Sequence, residues 1–466
     1  MAKTRRTRST SSATTSVPSV SIPINESIFA EPSGPRPPET TGRFVVTFRD
    51  NGEGDHKTVK AALHKIAGIA EGKVASAADF LGANVDADEI EEAEALYFNK
   101  LGIAVVSADN PAVQSLTASA AEEESHILAV EPEYIFHTCG DGTWPFEYLR
   151  GYRDAVNHLY DQLTGRGEFS DSVTEAIGFI DNAQFTWGLQ ATGVANSPFS
   201  GQNIKIAVLD TGMDMNHPDF AGRPIVGQSF VAAEPIQDLH GHGTHCIGTA
   251  CGPKQPASGV RRYGCAFSAQ IFAGKVLSNG GSGPTAGILA GMNWAITNGC
   301  QIISMSLGAD VQQVSPAYEN AGRRALNAGC LIIAAAGNNA DRRINPPNFG
   351  FVGQPANSTT IMAVGAIDSN LRIAFFSARS GAGAGGSVDI AAPGLSVFST
   401  VPMPTKHGLK SGTSMATPHV AGIAALWAQA RNVTGMALWN TITRSALRLN
   451  IPNSDVGTGL VQAPSS

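Results

Sequence analysis

Four short stretches of this chain hold residue types that together could attack a carbonyl group. AVLDTGMD carries Asp210, HGHGTHCIGT carries His242, AAAGNN carries Asn338 and SGTSMATPHVAG carries Ser414. A serine hydroxyl is a weak nucleophile until a base takes its proton, and an imidazole titrates in the right range to do so. An acid beside that imidazole would hold its tautomer and stabilise the imidazolium. Gly412 leads into a run of small and apolar residues, so Ser414 is expected at or just before a helix N-terminus, where backbone donors lack intrahelical partners. There its own N–H can meet an oxyanion, and Asn338, after a strand and a glycine, can supply a second donor. Pro418 is expected within the first helical turn, where its missing N–H removes nothing the helix would use. Alone, Ser414 would be an N-cap and Asn338 a turn residue; the set of four points to nucleophilic catalysis.

Rival chemistries are poorly served. His240, His242 and His245 compete in one glycine-bracketed turn, and His242 with His245 could share a helix face. That pattern lacks the neighbouring acid of a zinc-protease helix and a third ligand, so no metal is expected there. Ala416, not glycine, stands two places after Ser414, which separates this site from the G-x-S-x-G elbow.

The elements that must position these residues are continuous apolar runs. Ile204–Asp210, Gln270–Leu277, Gln301–Gly308, Leu331–Asn338 and Ile361–Ala366 read as strands buried on both faces, and helical stretches at Thr285–Asn298 and Ser315–Ala328 separate several of them. Such alternation predicts a doubly wound parallel α/β sheet with its site at the carboxyl ends of the strands. Asp210, Gly308 and Asn338 all fall at such ends.

Ahead of this lies a different pattern. A strand at Arg43–Phe48, a helix at His56–Ile69, a strand at Gly102–Ala108, a helix at Ala112–Glu123 and a strand at Ile127–His137 suggest a small α+β ferredoxin-like sheet. Residues 1–42 form a Ser/Thr/Pro-rich tail of disordered composition, and 139–186 a linker with one helix expected at Trp144–Leu163.

With 466 residues and 42% hydrophobic content, the chain can bury a large core and more than one domain. A formal net charge of −7 gives no general affinity for nucleic acid or anionic membrane, and no apolar run is long enough to span a bilayer. The basic start lacks an apolar h-region, so no Sec signal is expected; a cytoplasmic site and export by another route both stay open. Six cysteines without metal-ligand spacing are expected as free, mostly buried thiols.

The order Asp210, His242, Ser414 is that of subtilisin, and with the flanking residues quoted above the stretch from Trp187 to Ala463 resembles the subtilisin-like serine peptidases. HGTHC and AAGNN lean towards the proteinase K branch. The resemblance implies a catalytic domain over 187–466 and a serine endopeptidase that hydrolyses polypeptides through an acyl-enzyme. A peptide ligase or macrocyclase using the same acyl-enzyme is the alternative reading, and a silent peptide-binding pseudoenzyme a third. Gly281, Ser282 and Gly283, with Ser306, Leu307 and Gly308, match the segments that grip substrate as an added strand. By the same resemblance S1 lies between Ser306–Gly308 and the segment around Gly353, while Thr285, Ile288 and Leu307 outline an apolar S4. Residues 43–138 resemble the inhibitor-type propeptide of these enzymes, an intramolecular inhibitor whose end would put Cys139 near P1 and Phe136 near P4. Self-cleavage is then expected near Cys139, or later, before Phe185. Arg342 and Arg343 follow the oxyanion loop and are expected to be solvated. The chemistry needs no cofactor. Structural calcium is common in the family, with Asp389 and Asp219 the matching acids, but Gly252–Tyr263 lacks the acids of a strong site. A monomer without nucleic-acid or membrane partners is expected.

Overall fold

The computed structural model describes residues 38–49, 56–77, 93–139, 178–381 and 385–466. The helix expected at Trp144–Leu163 and most of the tail expected at 1–42 lie outside them.

The N-terminal unit runs β1 (Thr40–Phe48), α1 (His56–Ala67), β2 (Val74–Ser76), β3 (Ala95–Phe98), β4 (Ile103–Val106), α2 (Asn110–Ala120) and β5 (Ile127–Thr138). Its strands lie in the order β2–β3–β4–β1–β5, antiparallel except for β2 beside β3. Strand alternation divides its apolar residues between two faces. Val46, Phe48 and Tyr97 pack with Val59, Leu63 and Leu116 of the two helices. Val45, Leu96, Phe98 and Val105 belong instead to a core shared with the larger body of the protein. β2 and β3 were not expected: both are short, and β3 follows a run rich in acids that masks it. α2 begins two residues before its expected start because Asp109 caps it, accepting from Ala112 N at 2.9 Å, with Pro111 in the first turn.

The larger body is built on β6 (Lys205–Asp210), β7 (Ile225–Ser229), α3 (His242–Cys251), β8 (Gln270–Lys275), β9 (Ser282–Pro284), α4 (Thr285–Thr297), β10 (Ile302–Met305), β11 (Leu307–Gly308), α5 (Pro316–Asn327), β12 (Leu331–Ala335), β13 (Met362–Ile367), β14 (Ile390–Pro393), β15 (Val397–Thr400), β16 (His407–Lys410) and α6 (Thr413–Arg431). Seven of these strands form one parallel sheet in the order β14–β13–β12–β10–β6–β8–β7. Successive residues again serve opposite faces. Ile206 and Val208 share one core with Val420, Ile423 and Leu426 of α6, while Ala207 and Leu209 belong to a second core with residues of α4 and α5. That two-sided burial explains why the strands read as unbroken apolar runs. The chain reverses direction across the sheet at β6, so the carboxyl ends of β6, β10 and β12 border the crevice where α/β proteins hold ligands. The expected boundary at 187 falls inside this body: Phe179 N donates to Ser369 O at 2.8 Å, and Arg262 N to Gln184 O at 2.8 Å. No described helix is long and apolar enough to cross a membrane.

Candidate active site

β6 delivers Asp210, fully buried, to the sheet edge, where Thr211 N donates to its Oδ1 at 2.7 Å. His242 opens α3, and its Nδ1 lies 2.7 Å from the same oxygen. A carboxylate can only accept, so in the neutral imidazole Nδ1 carries the proton and Nε2 keeps the lone pair. Nε2 is buried and has no hydrogen-bond partner among the described residues. Burial of the imidazole pulls its pKa down, but the Asp210 charge and hydrogen bond outweigh that, and the net direction is well above the ordinary value.

Ser414 lies in the first turn of α6, fully buried. Its Oγ donates to Ser306 O at 2.9 Å. The hydroxyl therefore rests on β10's exit, and turning it about χ1 is what would present it to an imidazole. Cys246, one helical turn after His242, bridges the two elements: its Sγ is 3.9 Å from His242 Nδ1 and 3.5 Å from Ser414 O. Burial pushes that thiol's pKa up, which keeps it a neutral spacer.

Pro418 sits in the second turn of α6, not the first. The missing N–H at 418 leaves the carbonyl four residues back, that of Ser414, without its helical donor. Ser306 Oγ fills the gap at 2.8 Å, joined by the Cys246 thiol. The proline thus frees the Ser414 carbonyl to bind Ser306, just after β10, and Cys246 of α3, a role that spacing along the helix alone did not reveal.

Asn338 follows β12 and Gly337. Its Oδ1 accepts from Thr413 N at 3.0 Å and Thr413 Oγ1 at 2.9 Å. A backbone N–H can only donate, so the amide orientation is set and Nδ2 is left to donate elsewhere.

The strand β5 of the N-terminal unit reaches this site. It pairs antiparallel with β9 through Ile135–Pro284, Phe136–Gly283 and His137–Ser282, and with β11 through Thr138–Leu307 and His137–Gly308. Thr138 N donates to Gly281 O at 2.9 Å and Cys139 N to Ser306 O at 3.3 Å. Ser414 N donates to Cys139 O at 3.3 Å. A Cβ at Gly308 would stand 3.0 Å from Cys139 Sγ and 3.2 Å from Gln354 O, so a side chain here would crowd the docked strand. Phe136 is fully buried with Ile288 and Leu307, and its ring meets Tyr318 edge-on at 5.4 Å. Thr285 Oγ1 donates to Tyr134 O at 3.1 Å.

Several participants escaped the sequence reading. Tyr318 lies in the helix expected at Ser315–Ala328 but was not singled out. Glu133 and Glu131, two apart on β5, each meet a helix start. Glu133, fully buried, accepts from Ala286 N at 2.8 Å and pairs with Arg43 at 2.7 Å. Glu131 accepts from Ser315, the N-cap of α5. Burial pushes the Glu131 carboxyl up to about 7, against the lowering effect of hydrogen bonds from Ser315 and Ala317. The alternating acids of VEPEYIF, opposite helices beginning after Pro284 and Ser315, were the available signal. Arg342 is not solvated as expected: it pairs with buried Asp455 at 2.7 Å, and Arg379 binds the same carboxylate at 2.7 Å. Arg343 is paired with Asp341 at 2.9 Å.

The acids matched to calcium do not form cages for it. Both Asp219 oxygens are taken, by Ser258 N at 2.9 Å, Ser258 Oγ at 2.9 Å, Tyr263 Oη at 2.7 Å and His407 Nε2 at 2.9 Å. His217 stands beside them, but Asp219 N donates to its Nδ1 at 3.2 Å, which puts its proton on Nε2 towards Lys406 O, 2.8 Å away. A ligand nitrogen needs a free lone pair, and this ring has none left. Asp389 accepts from Ala363 N at 2.8 Å and lines a cavity of about 550 Å³ that also holds Arg444 and Arg448 but, among the described residues, no second acid. A hard dication wants several oxygens and no cations nearby. His245 Nε2 faces Val397 O at 3.0 Å.

Residues 201–459 match the family model described as the subtilase family. The chain belongs to the subtilase family. It is 34% identical over 373 residues to the thermostable alkaline protease of Halalkalibacterium halodurans, covering 78% of this chain and 95% of that protein. It is 40% identical over 240 residues to subtilisin E of Bacillus subtilis, covering 51% of this chain and 58% of that one. Subtilisin Savinase of Lederbergia lenta is 40% identical over 282 residues, 59% of this chain and 96% of the relative. This subtilase is accordingly a serine-type peptidase on a parallel α/β sheet.

Proposed function

We propose that this subtilase is a serine endopeptidase made as a zymogen, with residues 43–138 as its inhibitory propeptide, and that it cuts itself after Cys139. The observation that carries this reading is the Ser414 N–H donating to the Cys139 carbonyl at 3.3 Å, with the preceding residues held as a strand between β9 and β11. That is how a substrate would lie, gripped by Gly281–Gly283 and Ser306–Gly308 through its main chain.

In this reading Ser414 Oγ turns from Ser306 O and attacks the Cys139 carbonyl carbon while His242 Nε2 takes its proton. Asp210 holds the imidazole through Nδ1 and stabilises the imidazolium without taking the proton. The carbonyl oxygen becomes an oxyanion between Ser414 N–H and Asn338 Nδ2, and the 3.3 Å contact shortens as charge develops. Collapse breaks the Cys139–Gly140 bond, the imidazolium protonates the leaving amine, and water cleaves the acyl-enzyme by the reverse proton path. External polypeptides follow the same route once β5 leaves. No step calls for a cofactor or a second subunit.

Intact-mass measurement and N-terminal sequencing of purified protein test this. Wild type should yield a new N-terminus at Gly140, and Ser414→Ala should stay full-length. An active preparation containing only uncut chain would overturn the zymogen reading.

A further inference from the structure

We infer that Asp238, a residue with no part in the proton transfers above, is the positioning residue that locks Asp210 and His242 into register; the inference rests on their proposed catalytic roles. Asp238 is fully buried, and both its oxygens only accept. Oδ1 takes Thr211 Oγ1 at 2.9 Å, His240 N at 3.0 Å and Gly241 N at 2.8 Å. Oδ2 takes Thr244 N at 2.9 Å and Thr244 Oγ1 at 2.7 Å.

These donors come from the two segments that must not slip. Thr211 directly follows Asp210 at the end of β6. Gly241 and Thr244 bracket His242 at the start of α3. Thr211 Oγ1 in turn accepts from Gly243 N at 2.9 Å, so the second and third helical N–H groups of α3 end on Thr211 and Asp238. Gly241 occupies the N-cap position and has no side chain to do this. One carboxylate from the preceding loop therefore caps the helix that carries the base and, through Thr211, ties it to the strand that carries the acid. Its charge also lies at the positive end of the helix dipole and favours an imidazolium at His242. Thr244 Oγ1 extends the tie by accepting from Asp214 N at 2.9 Å.

Asp238→Asn keeps the shape but turns one acceptor into a donor facing donors. Misplacement of a catalytic group by an ångström costs about 10²-fold, so kcat per titrated active site should fall by about that factor while KM stays within about twofold. The acid limb of the kcat/KM profile should move to lower pH. Thr211→Val should lose less, Thr211→Ser should recover most of that loss, and Asp238→Asn/Thr211→Val should be little worse than Asp238→Asn, because one tie is cut twice. The assay uses the full chain, with active sites counted by a serine-directed phosphonate probe. Should Asp238→Asn not fold, Thr211→Val and Thr244→Val carry the test, each expected to lower kcat per site while KM changes little. Unchanged kcat per site in these variants, alongside full loss in His242→Ala, would overturn the role of Asp238. Activity surviving in His242→Ala would instead overturn the catalytic reading on which it rests.

Discussion

The hold of the N-terminal unit on the active site should weaken as pH rises, and Glu131 sets the size of the effect. Docked on α5, its carboxyl titrates at about 7 instead of the ordinary 4.5, chiefly because burial disfavours the charge. A group raised in the docked state contributes hold that is fully present below about 4.5 and is lost as pH passes through about 7. The gap between 4.5 and about 7 corresponds at its limit to roughly 300-fold in affinity, about 3 kcal/mol. To measure it, freshly self-cut protein is diluted into buffers from pH 5 to pH 9, and aliquots are moved at intervals to one common assay pH. Activity should recover slowly from the acid buffers and fast from the alkaline ones. Glu131→Gln stays neutral and can still accept from Ser315, so its recovery should be slow and nearly flat with pH. His137, which lies 4.0 Å from Glu39, remains in the variant. A Glu131→Gln protein that keeps the full wild-type pH dependence would refute the assignment to Glu131.

Asn338→Leu removes the donor that Thr413 orients and should lower kcat by about 10²–10³, a cost known from subtilisin itself and not a number from this structure; self-cutting rates provide the check. Gly308→Val places side-chain atoms against Cys139 Sγ, where a Cβ alone already reaches 3.0 Å, so uncut chain should accumulate on gels. Asp455→Ala leaves Arg342 and Arg379 facing each other and should cost about 2–4 kcal/mol by denaturant titration, discounted from the fully buried case because Arg379 is partly exposed. Burial alone would raise the Asp455 pKa, but its hydrogen bond from Arg379 and the Arg342 charge hold it below the ordinary value. That contribution is present above about pH 3.8 and is lost as pH falls below it, which wild-type and Asp455→Asn melts across the acid range can compare.

Much of the candidate site was legible because it is local. Each of Asp210, His242, Asn338 and Ser414 sits where an element begins or ends, and such places are written in short patterns: an apolar run closing on an acid, glycines ahead of a small-residue helix, Ala-Ala-Gly before an asparagine. The two-faced burial of β6, β10 and β12 was readable for the same reason, since period-two contacts on both sides leave an unbroken apolar run. Pro418 marks the limit. Its helix was foreseen, but its place in the second turn, and hence the freed Ser414 carbonyl, depends on where the first helical bond closes. The resemblance put Cys139 and Phe136 near the site, yet nothing local to β5 specifies the ribbon it forms with β9 and β11.

What the sequence alone determined is the chemistry and the kind of sheet that carries it, because both follow from residue type and near-neighbour spacing. Only the tertiary structure decided that Asp238 joins Thr211 to Thr244, that Glu131 and Glu133 end on two helix starts, that Tyr318 closes on Phe136, and that Asp455 neutralises Arg342. Each of these is a buried polar or aromatic group whose partner arrives from another element. Its energy depends on desolvation and on distances that no local pattern encodes.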